Sequence, residues 1–142
     1  MKSGWRGRIT QDPQDTIQLG KYFANFVEKG DVFAFVGELA SGKTTFIKGI
    51  LKGLNFVKPV TSPTFTLVNE YDAKYSVIHI DCYREDKLKR WIKLGMNDYM
   101  DEENIVIIEW ADKMKSLLPI NTIQIQFSHR SITSRKITLL NQ

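Results

Sequence analysis

Cysteine is almost missing from this sequence: Cys82 is the single one among 142 residues. No internal disulfide can form and no thiolate cluster is available to hold a metal, so Cys82 is expected to pack as a small apolar residue. Long hydrophobic runs are lacking as well. None approaches the roughly 20 apolar residues that span a bilayer, and Met1-Lys2-Ser3-Gly4-Trp5-Arg6 leads into no signal-peptide core. A soluble, cytoplasmic chain with no membrane partner is the expectation. There is no internal repeat, no linker and no low-complexity segment, and no Asn-Lys-x-Asp stretch of the kind that reads guanine, which speaks against a GTPase.

Charge of one sign is also in short supply. The net charge is +4, with basic residues scattered among acidic ones, which permits an anionic partner without identifying one. Lys87, Lys89, Arg90 and Lys93 are the densest basic group and read as a solvated helix face rather than a nucleic-acid patch; no DNA partner is expected. With 42% hydrophobic and 25% charged residues the composition is that of a globular protein, and its length suits one domain over 1–142 with a core that needs neither disulfides nor metals.

What is present is concentrated between Asp31 and Thr45. Val32-Phe33-Ala34-Phe35-Val36, bounded by Gly30 and Gly37, predicts a buried strand. Gly37-Glu38-Leu39-Ala40-Ser41-Gly42-Lys43-Thr44 then fits G-x-x-x-x-G-K-[ST], and the amphipathic run from Phe46 to Leu54 predicts a helix. Glycines at both ends of such a loop let successive N–H groups point inward around phosphate oxygens, and the helix adds the positive end of its dipole. In that arrangement Lys43 reaches the β- and γ-phosphates and the Thr44 hydroxyl ligates Mg²⁺. Thr45 reads as helix N-terminus chemistry at the edge of the same nucleotide-binding stretch.

Asp12-Pro13 opens an earlier helix, with Asp12 as N-cap and Pro13 at the first helical position, whose apolar face runs to Lys29-Gly30. Residues 1 to 10 read equally as a short edge strand or a disordered start. Beyond the loop helix, Thr61-Ser62-Pro63-Thr64-Phe65-Thr66 is unsuited to a helix; it is either a γ-phosphate-sensing segment or a self-capping polar loop. Leu67–Tyr71 and Ser76–Asp81 alternate as two strands. The second ends in Asp81, either a Walker B type aspartate at the metal or a cap for the next turn. His79 reads as a strand residue only. A helix is predicted over Arg84–Leu94, stopped by Gly95, with a short one near Asn97-Asp98-Tyr99-Met100. Ile105-Val106-Ile107-Ile108 is another buried strand ending in an acid, Glu109, which suits metal binding or the orienting of water. Ala111–Leu118 reads as helical up to Pro119. Thr122–Phe127 and Arg135–Leu140 predict a terminal antiparallel hairpin around Ser128-His129-Arg130-Ser131, and His129 is assigned no chemistry.

The phosphate loop, Ser62-Pro63-Thr64-Phe65-Thr66-Leu67-Val68-Asn69-Glu70-Tyr71, His79-Ile80-Asp81-Cys82-Tyr83-Arg84 and Ile108-Glu109-Trp110, in that order, resemble the TsaE (YjeE-type) family of small bacterial ATPases. The resemblance runs from about Thr16 to the Arg135 strand, and its S-P-T-[FY]-T-L-V and D-x-Y-R blocks are far more specific than the loop alone. It implies a P-loop NTPase fold, an α/β three-layer sandwich with a mostly parallel central sheet and antiparallel hairpins at its edges. It implies ATP and Mg²⁺ as cofactors and action with TsaD and TsaB, which install threonylcarbamoyl on adenosine 37 of tRNA, with slow ATP turnover resetting that complex. Because no aromatic-basic stacking surface is evident, the tRNA is expected to be engaged only indirectly. Carried over by position, Gly37 to Thr45 hold the nucleotide, Thr44, Asp81 and Glu109 serve the metal, and Glu109, Asp81 and Lys43 are catalytic. Thr64 belongs to a switch-like segment, while Trp110, Asp112 and Arg135 match positions near the nucleotide. Glu38, Ala40 and Ser41 stand where the family usually has Asp, Gly and Ala, and Cys82 where it has Leu. Losing the middle glycine removes one residue free to adopt positive φ. The alternative to a reset ATPase is a nucleotide-dependent recruitment module for TsaD in which hydrolysis is incidental. A small-molecule kinase ranks last, because no Arg-rich lid follows the loop.

Overall fold

Strands that are apolar at consecutive positions must be covered on both faces, and this chain meets the demand with helices on either side of one sheet. The computed structural model describes residues 6–38, 41–60, 67–83 and 87–140. Within them β1 (Gly7–Thr10), β2 (Val32–Val36), β3 (Val68–Asp72), β4 (Ser76–Asp81), β5 (Asn104–Glu109), β6 (Ile123–His129) and β7 (Arg135–Leu139) form a seven-stranded sheet ordered β1-β7-β6-β2-β5-β4-β3. The inner strands β6, β2, β5 and β4 run parallel. At one edge β3 pairs antiparallel with β4; at the other β7 and β1 continue antiparallel from β6. Both expected hairpins are present, and of the two readings for the chain start the edge strand holds over Gly7–Thr10.

The first helix, α1 (Pro13–Phe23), begins as its sequence signals: Asp12 is extended and its Oδ1 accepts from the Asp15 N–H at 2.8 Å. It stops short of Lys29-Gly30. Ala24–Phe26 tightens into a 3-10 turn, after which Val27 is extended and buried, so that tertiary burial ends the helix early. The loop helix α2 (Lys43–Gly53) and the short α3 (Leu88–Lys93) and α4 (Met96–Tyr99) follow, with Gly95 at φ 80° separating the last two. Lys87, Lys89, Arg90 and Lys93 are all exposed, as a solvated face requires. The helical segment expected over Ala111–Leu118 is of the 3-10 kind over Ala111–Leu117, interrupted at Met114 with φ −129°. Ala111 and Met114, three residues apart, are both buried on the second face of the sheet.

Alternation assigns the two faces. Phe33, Phe35, Val77, Ile105, Ile107, Ile123, Ile125 and Phe127 pack against α1 and α2, whereas Val32, Ala34, Ile78, Ile80, Val106 and Ile108 pack with Trp91, Met96, Ala111 and Met114 on the other side. Cys82 is fully buried on this second face, the small apolar role expected of it. On the first face Phe46, one turn into α2, meets the rings of Phe23, Phe35 and Phe127 at centroid separations of 5.5, 5.9 and 5.4 Å. Such ring pairs each add about 0.5–1.5 kcal/mol beyond the area they bury. They hold the start of α2 over the C-terminal ends of β2 and β6.

The two helices of that face touch backbone to backbone. A Cβ on Gly20 of α1 would collide with the Phe46 carbonyl oxygen, and one on Gly49 of α2 with the Ile17 carbonyl oxygen. Two effects therefore oppose each other in Gly20→Ala. Helix propensity favours alanine by about 0.8–1 kcal/mol, whereas forcing two packed helices apart costs about 1–3 kcal/mol. The contact is to backbone, which cannot swing aside, so the variant is expected to be less stable in urea denaturation; an unchanged or higher midpoint would show that the helices can separate freely.

Candidate functional site

The parallel register brings three strand ends together. In the ladders Glu109, the last residue of β5, lies opposite Phe35 of β2 on one side and Asp81, the last residue of β4, on the other. Phe35 is followed by Val36 and Gly37, so the glycine turn leaves the sheet beside Glu109. His79, Asp81 and Glu109 occupy alternate positions on the face covered by α2, and all three are buried, at 0%, 4% and 4% exposure.

Gly37 (φ 150°) and Gly42 (φ 99°) hold backbone conformations that L side chains rarely adopt. At Gly37 a side chain would also collide with the Phe127 carbonyl oxygen and Ser41 Oγ; at Gly42 it would make ordinary contact with the Arg135 methylenes, so the backbone conformation alone demands glycine there. Gly42 caps α2, and its carbonyl accepts the first helical bond, from Phe46 N–H at 2.9 Å. The N–H groups of the first turn have no intrahelical acceptor, as at every helix start. Thr44 and Thr45 lie in this turn, half-buried.

Lys43 is 5% exposed, and its Nζ donates to the Gly37 carbonyl at 2.6 Å while lying 4.1 Å from the centroid of the Trp110 ring. Burial pushes this ammonium below its ordinary value of 10.5, against the opposing pull of the Glu109 and Asp81 carboxylates. Trp110 is brought there by an unusual turn: it sits in the left-handed region at φ 59° and ψ 41°, strained for a bulky residue, and redirects the chain from β5 into the 3-10 segment. Its indole also meets Tyr83 edge-on at 4.9 Å. Asp81 Oδ1 accepts from Tyr83 N–H at 2.8 Å, so the turn-capping use of this aspartate is real and coexists with its place beside Lys43. Arg135 comes up to the glycine turn through its methylenes, while its Nη1 donates to the carbonyls of Ser131, Ile132 and Ser134. Glu38 and Asp112 are exposed at the margin. Leu39, Ala40, Thr64 with the rest of 61–66, and Arg84 lie outside the described residues.

One site residue went unrecognised in the sequence. His79 Nε2 lies 2.6 Å from Glu109 Oε2 in the protein interior. The signal available was strand alternation, which puts His79 on the face of Asp81 two residues later. The donors gathered here suit an anion: a buried ammonium, the free N–H groups of a helix start, and Ser41 Oγ, which has no hydrogen-bond partner among the described residues. A divalent cation is a different case. Among the described residues no three His, Cys, Asp or Glu side chains cluster to cage a metal. Two carboxylates and the Thr44 hydroxyl fit an ion that takes its remaining ligands from a bound phosphate and water.

Fold and site together define a mixed α/β protein in which the ends of parallel strands bring two acids beside a glycine turn and the lysine that opens α2. The family model described as threonylcarbamoyl adenosine biosynthesis protein TsaE matches residues 10–137, and the chain belongs to that family. It is 37% identical over 136 residues to the tRNA threonylcarbamoyladenosine biosynthesis protein TsaE of Bacillus subtilis, covering 94% of this chain and 82% of that one. The protein of the same name from Treponema pallidum is 33% identical, with 92% and 97% covered. Among solved structures the crystal structure of Bacillus subtilis YdiB superposes with a TM-score of 0.80 at 32% identity, over 94% of this chain and 82% of the other.

The depressed Lys43 value carries a stability consequence whose sign is fixed. With the folded-state value below 10.5, the unfolded chain binds more protons in the interval between the two, so this lysine's penalty on the ligand-free fold shrinks as pH rises toward 10.5. Measured by urea unfolding at neutral and alkaline pH, wild type should gain stability relative to Lys43→Met on going alkaline. A difference that stays constant or moves the other way contradicts the buried-ammonium account.

Proposed function

We propose that this chain binds ATP with Mg²⁺ in a P-loop NTPase fold and hydrolyses it slowly, as the component that resets the TsaD–TsaB complex during threonylcarbamoylation of adenosine 37 in tRNA. The observation that carries the reading is Lys43: an ammonium buried against a glycine turn and facing two strand-end carboxylates is a poor choice for stability and a good one for gripping a triphosphate. The amides of the turn and the first turn of α2 would cradle the phosphates. Thr44, Asp81 and Glu109 would hold the metal, whose chemistry is to neutralise charge on the phosphoryl oxygens. Glu109 would also orient the attacking water. Trp110, Asp112 and Arg135 are assigned to the rim of the nucleotide pocket, and Thr64 to the segment that responds to the γ-phosphate. Work in the cytoplasm alongside tRNA, touching it only through TsaD and TsaB, completes the reading. The names of the relatives place those proteins in threonylcarbamoyladenosine biosynthesis and support the assignment.

Two measurements test it. In a calorimetric titration Lys43→Ala should weaken ATP binding by about 1.5–3 kcal/mol, the worth of a charge-assisted contact; unchanged affinity rejects the phosphate-loop assignment. Hydrolysis by the wild type should rise when TsaD and TsaB are added, and Glu109→Ala should join those partners without supporting repeated rounds of tRNA modification. If that variant sustains repeated rounds, hydrolysis is dispensable and the chain is a recruitment module.

A further inference from the structure

Most buried polar side chains here have a local use. Thr10 and Thr16 bond to each other at 2.7 Å, Ser134 donates to the Thr10 carbonyl, and Thr122 donates to the Pro119 carbonyl. His79 has none of that kind. It is 0% exposed on β4, the strand next to the edge strand β3, its Nδ1 has no hydrogen-bond partner among the described residues, and the polar contact it makes is with Glu109. A histidine retained for packing alone would be a costly choice, because a leucine or phenylalanine fills such a place without desolvating two ring nitrogens.

We infer that His79 is a positioning residue for Glu109, holding one oxygen of its carboxylate so that the other is presented to the reaction. The inference rests on the reading of Glu109 as part of an ATP-hydrolysing site. The chemistry of the contact follows from the 2.6 Å between Nε2 and Oε2. Two lone pairs would repel at that range, so a proton lies between them, donated by Nε2 to the carboxylate. Glutamate has a broad terminal torsion and considerable rotamer freedom. A donor fixed on a strand paired on both sides removes that freedom on the inner side, and Oε1 remains to meet water or metal. The register makes the support rigid: His79 lies opposite Ile107 in the ladder, and Glu109 is the next residue of β5 on the same face. His79 touches no reacting atom in this scheme; its effect passes through Glu109, as with the partners that orient metal-binding side chains from behind.

His79 and His129 are the two histidines of the chain, which makes a spectroscopic test simple. In nitrogen-15 spectra of the full wild-type chain, one imidazole should carry an exchange-protected proton on Nε2, lost in His79→Gln and shifted in Glu109→Gln. A His79 ring protonated on Nδ1 alone, or averaging between tautomers, overturns the inference whether or not the protein hydrolyses ATP. Kinetically, His79→Leu should lower kcat by about 10- to 100-fold, the usual effect of losing such a partner, while ATP affinity by calorimetry is unchanged. His79→Gln, whose amide reaches the same oxygen, should recover most of the rate. Equal rates in wild type and His79→Leu, or no recovery in a folded His79→Gln, refutes the positioning role. A wild type that neither binds nor turns over ATP refutes the nucleotide reading instead, and the spectra then decide the His79–Glu109 contact alone.

Discussion

The alignment of β5 between β2 and β4 is the constraint on which the rest depends. Because side chains on a strand alternate, a one-residue slip of β5 would turn Glu109 away from α2 and into the second core with Val106 and Ile108. The observed register seats Ile105 and Ile107 with the phenylalanines under α2 and Val106 and Ile108 in the second core, with Ile105 opposite Val77 and Val106 opposite Val32. Residues with no chemistry of their own therefore fix where the chemical ones stand. Phe46 does the same from above, tying the beginning of α2 to Phe35 and Phe127.

Around Lys43 the chain accepts unfavourable terms and partly offsets them. The ammonium is drawn out of water, and the Gly37 carbonyl, the Trp110 ring face and two carboxylates replace its hydration. Bringing Trp110 over it requires a left-handed backbone at a bulky residue, a conformation that costs about 1–2 kcal/mol. The strain at Trp110, the buried cation at Lys43 and a Ser41 hydroxyl with no partner among the described residues gather around the glycine turn, where a fold selected only for stability would have none of them.

Much of this was legible in the residues. Gly37, Gly42 and Lys43 announce the turn by spacing, Asp12-Pro13 announces α1, and the apolar runs of β2, β4 and β5 announce buried parallel strands. The acids at Asp81 and Glu109 could be named because each closes such a run. Other features were hidden. The 3-10 course of Ala111–Leu117 and its break at Met114 leave no mark in the apolar spacing, since Ala111 and Met114, three apart, would share a face of a regular helix too. The early end of α1 at Phe23 goes with the burial of Val27 in extended backbone. His79 escaped notice because its meaning lies across the ladder, in a strand 30 positions away, and pairing between distant strands leaves no local trace.

The glycine contact between α1 and α2 reaches beyond packing. Where main chains of two helices interlock through Gly20 and Gly49, neither rod can slide along or roll over the other without a clash between backbone atoms. The helix that carries Lys43 and Thr44 is thereby keyed to its neighbour like a bolt in a slot. Events at the glycine turn would be felt through rotation of side chains and adjustment of the strand-end loops, with the paired rods acting as a fixed reference against which those parts move.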